Sequence, residues 1–443
     1  MENYLFEKMP VPKAYMKLAL PVVLSMIVSL VYNMIDTYFI ALTGVQELVA
    51  GVSLVAPMFT LMIAFGDIFG LGGSSAISRL LGEKKDNEAK KTCAFCIWIS
   101  LVFGLCISAI LLLFRTQILG LLGVGKDTYQ YANAYYTWIA IGAVSIIFSM
   151  VPSNILRTEG LAVQSMAGSI IGSIVNIIFD PIFIFGLNQG AAGAAMATVL
   201  GNIIADIYYV YAVIKKSKRL TCSPSHMKVT GRRIRDILMI GIPASITNIM
   251  QTFMMVMTNN FLLTYGTDKV AAMGIALKVN MITALVLVGF AFGGQPLVGY
   301  NYGAKNEKRL KNILKFSYLF GIGLGLLFTI IMCIFAPQII KVFMDKPDII
   351  TNGAMMLRFQ QMGMIFMSVT LISTCVCQAV GNAGGAFVLS ISRQGVIYVL
   401  ALLIMSNVFG YTGVLVSQAC SDVVTALIAV GIMLRIMKKF IKN

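Results

Sequence analysis

Leu18-Ala-Leu-Pro21 and Ile240-Gly-Ile-Pro243 place a proline near the start of two long apolar stretches about 221 residues apart. The chain beyond them stays in step. Gly72-Gly73 falls on Gly293-Gly294, and Gly82-Glu83-Lys84 on Gly303-Ala304-Lys305. Arg157-Thr-Glu-Gly160-Leu-Ala162 falls on Gln378-Ala-Val-Gly381-Asn-Ala383, and Gly193 on Gly413. Long duplicated apolar segments, interrupted by proline and glycine at matching places, are the pattern of secondary transporters.

Composition narrows the class further. Hydrophobic residues make up 58% of the 443 and charged residues 12%, against roughly 25% charged in a soluble domain. That much apolar surface needs lipid to cover it. Apolar spans of roughly 20 residues or more are expected at 15–43, 47–78, 90–114, 129–156, 163–187 and 191–214. In the second half they are expected at 236–265, 269–301, 311–337, 349–379, 384–409 and 412–436. The fold class is therefore an all-α integral membrane protein of twelve transmembrane helices in two six-helix lobes. Six spans per half is an even number, so the halves insert with the same orientation and the repeat is parallel. The expected domains are a first lobe at 1–214, a basic linker at 215–235 and a second lobe at 236–443.

The net charge of +16 would suggest nucleic acid in a soluble protein, but its distribution argues otherwise. Of the 34 Lys and Arg, only Arg115, Lys126, Lys269, Lys341 and Lys346 lie between spans on one side of the bilayer. Lys278, Arg358 and Arg393 lie inside spans, and all the others are on the opposite side. By the positive-inside rule both termini are cytoplasmic. The first apolar segment is too long for a signal peptide and lacks a small-residue cleavage site. Of the eight cysteines, Cys93-x-x-Cys96 has no second pair or nearby histidine to complete a zinc site, so small packing residues are the better account. The single histidine, His226, is in the linker, and no nucleophile or metal-ligand constellation points to an enzyme.

Three strings resemble the multidrug and toxic compound extrusion (MATE) family, especially its DinF-like branch. The most specific is Gly293-Gly-Gln-Pro-Leu-Val-Gly-Tyr-Asn-Tyr-Gly-Ala-Lys305. The others are Ser78-Arg-Leu-Leu-Gly-Glu-Lys84 and Asn176-Ile-Ile-Phe-Asp-Pro-Ile-Phe-Ile-Phe-Gly186. The match runs from about residue 10 to 440 with its elements in order. The resemblance implies drug efflux from the plasma (inner) membrane, coupled to proton or sodium entry. It implies small organic substrates, no cofactor beyond the coupling ion, no nucleic-acid partner and a single working chain.

The residues make a case of their own. A carboxylate at mid-membrane costs roughly 2.5–3.5 kcal/mol on insertion scales, so each one needs a reason. Asp36, Asp180 and Thr198 each lie seven or so residues from the outer end of their span, about 10 Å deep at 1.5 Å per residue. Asn176 is one turn below Asp180 on the same face. Pro181 frees the carbonyl of Ile177 beside Asp180, and Pro21 permits a bend in the first helix. Two carboxylates and two neutral oxygen side chains would bind sodium or share a proton, or serve only as interhelical hydrogen bonds. In the family, the positions matching Asp36, Asn176, Asp180 and Thr198 form the cation site. The second half offers Thr258 or Asn259 opposite Asp36 and the neighbourhood of Ala401 opposite Asp180, so coupling is expected in the first lobe alone.

Substrate contacts are expected at Asp36 and Asp180, at Gln251 and Met255, and at Lys278, which either faces a cavity or snorkels. Asp67, Asp206 and Asp422 either line an inward pathway or hold the bundle together. The glycines at 66, 70, 72, 73, 289, 293 and 294 mark close helix approaches. The rival reading is a lipid-linked oligosaccharide flippase. That activity would want a basic cavity, and Lys278, Arg358 and Arg393 hint at one, whereas the acidic first-lobe cluster favours drug export.

Overall fold

The computed structural model describes residues 4–344 and 346–442. The first repeat supplies α1 (Val11–Leu42), α2 (Gln46–Gly82), α3 (Asp86–Leu113), α4 (Lys126–Thr158), α5 (Ala162–Gly186) and α6 (Gly190–Lys215). The second supplies α7 (Gly231–Leu263), α8 (Thr267–Gly303) and α9 (Glu307–Ile334). It continues with α10 (Pro347–Met362 and Met364–Val380), α11 (383–409) and α12 (411–442). Among the described residues ten helices are long and apolar enough to cross a membrane, and α10, bent by 41° near Gly363, makes an eleventh. The Ala383–Lys438 stretch counts once among the ten, but Gly410 breaks it at φ 57°, ψ −129°. That break separates α11 from α12 and completes the twelve. Helices are forced here because lipid offers the backbone no hydrogen-bond partners.

The duplication is copied in the backbone. Lys84 and Lys305 both adopt a left-handed conformation, φ 59° and 52°, which costs a side-chain-bearing residue ~1–2 kcal/mol. Matching bonds hold both turns: Lys85 N donates to Leu80 O at 2.9 Å, and Asn306 N to Asn301 O at 3.1 Å. Gly160 and Gly381, φ 86° and 80°, sit just past the ends of α4 and α10. Short helices at Arg115–Leu121 and Ala336–Phe343 follow α3 and α9 in the same way.

The chain forms two compact units. One runs from Leu24 to Ser245; the other takes the residues up to Val23 and those from Ile246 onward. The expected lobes at 1–214 and 236–443 follow the repeat, whereas the contacts divide the chain two residues after Pro21 and again two residues after Pro243. The physical reason is close packing of each leading helix into the opposite unit. A Cβ on Gly72 of α2 would lie 2.3 Å from the carbonyl oxygen of Ile237 in α7, and one on Gly293 of α8 would lie 2.3 Å from Cα of Ala19 in α1.

The segments preceding these helices dock likewise. Glu159 accepts from the main-chain N–H groups of Lys218 (2.7 Å) and Arg219 (2.9 Å), and Trp98 Nε1 donates to Cys222 O at 2.9 Å. Before α1, Arg309 donates to the carbonyls of Phe6 and Met9, each at 2.6 Å, and Tyr300 donates to Glu7 at 2.8 Å. The core of the first unit joins α2, α4 and α6 through Met62, Ile139, Ile147 and Ala194; that of the other joins α7, α8, α10 and α11 through Leu262, Ala276, Leu357 and Leu402.

Candidate functional site

The four depth-matched residues meet inside the Leu24–Ser245 unit. α5 presents Asn176 and Asp180 one turn apart, and both are buried, as is Thr198 of α6. Pro181 cannot continue the helical bond pattern, and the backbone passes into a wider π-helical turn over Ile182–Gly186. With its amide assigned in the orientation that satisfies both neighbours, Asn176 donates to Asp180 Oδ2 at 3.1 Å and accepts from the hydroxyl and the N–H of Thr198, each at 3.1 Å. Asp36 of α1 is half-buried, with its carboxyl group within hydrogen-bonding reach of that of Asp180. One oxygen of each, Oδ1, is buried without a hydrogen-bond donor.

Two carboxylates in contact, each with an unsatisfied oxygen, are strongly repulsive unless something positive lies between them. The neutral oxygens of Asn176 and Thr198 add hard ligands beside them. Tyr32 and Tyr135 stand within electrostatic reach of both acids and were missed in the sequence. Tyr32 was detectable, because it precedes Asp36 by four residues and shares its helix face. Tyr135, from α4, had no local signal.

The matching place in the second unit is neutral. Thr258 is hydrogen-bonded to the Tyr398 hydroxyl, and both side chains are buried. No carboxylate stands at either position.

The remaining expectations scatter. Gln251, Met255 and Lys278 are exposed and belong to the other compact unit, so the first unit does not contain them with the acidic pair. Pro21 also lies in that other unit, just before α1 crosses. Arg393 of α11 donates to Asp422 of α12 at 2.8 Å, and Gln418 donates to the same carboxylate oxygen at 3.2 Å. That pair is internal, so bundle packing accounts for both residues. Arg358 is exposed and donates to Cys333 O at 3.1 Å. Asp67 lies within electrostatic reach of Arg157, and Asp206 accepts from Ser145 and Ser149. All eight cysteines are free thiols.

Comparison with known proteins bears on this arrangement. The family model described as MatE matches residues 21–182 and 243–404, once in each repeat. The multidrug export protein MepA of Staphylococcus haemolyticus (strain JCSC1435) is 30% identical over 432 residues, covering 97% of this chain and 94% of its own. Among solved structures, MATE in the straight conformation is 25% identical with a TM-score of 0.92, covering 100% of this chain and 99% of that one. MATE in the bent conformation is 25% identical with a TM-score of 0.91, covering 98% and 97%. The duplicated six-helix architecture and both family matches therefore agree: the chain belongs to the MatE family, whose members are multidrug transporters and not enzymes.

Proposed function

We propose that the protein is a cation-coupled antiporter that exports amphipathic, often cationic, organic compounds by alternating access. The observation that carries this reading is the contact between Asp36 and Asp180, with a buried, donor-free oxygen on each. Such a pair demands positive charge, and a proton, a sodium ion or a cationic drug each supplies it. Because one place serves all three, binding of the coupling ion displaces the drug, and that competition is the exchange. Asn176 and Thr198 complete the ion's oxygen ligands. Gln251, Met255 and Lys278 are assigned to drug contact, and Pro21 and Pro181 to bending of α1 and α5. The basic segments favour cytoplasmic termini in the plasma membrane, and one chain is taken as the working unit. The name of the staphylococcal relative, a multidrug export protein, supports the drug assignment. The flippase reading loses one of its three cations, because Arg393 is neutralised by Asp422.

The test is export of a fluorescent organic cation from proteoliposomes under a sodium gradient alone and a proton gradient alone. One gradient is expected to drive transport, and Asp36→Asn or Asp180→Asn to abolish it. Wild-type protein that exchanges dye but responds to neither gradient would refute the coupling.

A further inference from the structure

We infer that Asp206 is a second proton-exchange site, lying in the inner half of α6 and linked to the Asp36–Asp180 pair by a run of hydrogen bonds that passes through the main chain at Thr198. The inference rests on the proton form of the coupling proposed above.

Thr198, Asn202 and Asp206 follow one another at intervals of four on a single face of α6, spanning about 12 Å of helix. The bonds along this face run through side chains and, at Thr198, through the main chain. Asn176 bridges Asp180 to Thr198, and Asn202 Nδ2 donates to Thr198 O at 2.8 Å. Ser149 of α4 then lies 3.4 Å from Asn202 Oδ1 and 2.6 Å from Asp206 Oδ1. Ser145, one turn earlier on α4, donates to Asp206 Oδ2 at 2.5 Å.

A count of donors shows why a proton belongs there. Ser149 has one hydroxyl proton but faces three acceptors: Asp206 Oδ1, Asn202 Oδ1 and the carbonyl of Ser145 at 3.0 Å. With Asp206 ionised, that one proton leaves two of the three acceptors without it. A protonated Asp206 donates to Ser149, whose own proton turns to another acceptor. Hydroxyls both donate and accept, so the same side chains satisfy both states of the acid by rotation.

The second unit is the internal control. The offset that pairs Gly193 with Gly413 sets Thr198 opposite Gln418, Asn202 opposite Asp422 and Asp206 opposite Ala426. The acid on that face, Asp422, is locked to Arg393. Among the described residues half-buried Asp206 forms no ion pair with a basic side chain, and its polar partners there are the two serine hydroxyls. The titratable group facing Asp206 is Tyr209 on its own helix, with Arg157 of α4 beyond Tyr209. α4 otherwise presents the two serines, and α5 brings no charged group into reach. A proton accepted at the outer pair thus has an inner station from which to leave, inside one unit.

Two readouts test the assignment in liposome-embedded protein. Difference infrared spectra between acid and alkaline pH should show a protonated-carboxyl band in wild type that is missing in Asp206→Asn. Absence of any such band across the pH range overturns the proposal, whatever drives transport. In flux assays Asp206→Asn should slow proton-driven dye export by about a hundredfold, leave dye-for-dye exchange within twofold, and be partly rescued by Asp206→Glu. Proton-driven export equal to wild type overturns it. Should Asp206→Asn fail to insert, Ser149→Ala keeps the acid and breaks the link. It should slow coupled export alone, and unchanged coupled export would again refute the linkage. If wild type itself ignores the proton gradient, the proton form of the coupling has failed, and the infrared band still decides on Asp206.

Discussion

At the scale of single residues, the two units handle buried acids in opposite ways. All three acids keep one buried, donor-free oxygen, but Asp36 and Asp180 form no ion pair among the described residues, whereas Asp422 is fully buried against Arg393, itself only 12% exposed. Arg393→Met should destabilise the protein by ~3–5 kcal/mol, since it strands a buried charge. The double variant Arg393→Met, Asp422→Leu should regain most of that, as read by thermal unfolding in detergent. Equal losses in the two would mean the ion pair is not the source of the cost. Asp36, Asn176, Asp180 and Thr198 could be brought to one depth by counting residues from the helix ends. Tyr135, Ser145 and Ser149 could not, because rotation about a helix axis in a packed bundle is set by neighbouring side chains, and depth counting carries no angle.

At the scale of elements, glycine decides how close the helices come. Gly72 and Gly293 each take the backbone of a leading helix where a methyl group would collide, whereas Gly323 of α9 is exposed with nothing within 4 Å of a Cβ. Gly72→Val and Gly293→Val should each cost ~1–3 kcal/mol or more by overpacking. Gly323→Ala should be neutral or stabilise by up to about 1 kcal/mol. Melting temperatures of the three variants check this directly, and a neutral Gly293→Val would show that α1 is free to stand away from α8. The glycine positions were legible as close approaches. Which helix approaches was not, since α2 receives α7, and α8 receives α1.

For the whole molecule, the repeat and the compact units do not coincide. Each unit borrows the opening of the other's first helix, together with the segment leading into it, held at Glu159 and Trp98 on one side and at Arg309 and Tyr300 on the other. The halves of the chain are therefore interlocked. Cutting within Pro224–His226, at fragments 1–225 and 226–443, should give two polypeptides that co-purify and transport when made together. Either fragment made alone should be degraded, because its unit lacks the opening half of a helix and the segment leading into it. Recovery of one half as a stable, monodisperse protein would contradict this.

By itself the sequence determined the membrane environment, the twelve spans, their parallel duplication and the family, because lipid thickness and backbone hydrogen bonding leave few solutions for so apolar a chain. It also singled out Asp36, Asn176, Asp180 and Thr198 as one group. Only the tertiary structure decided which unit each half-helix joins, that Arg393 is spent on Asp422, and that Asp206 shares a hydrogen-bonded face with the outer pair. Those outcomes depend on helix rotation and on contacts between residues far apart in the chain, neither of which leaves a periodic trace in composition.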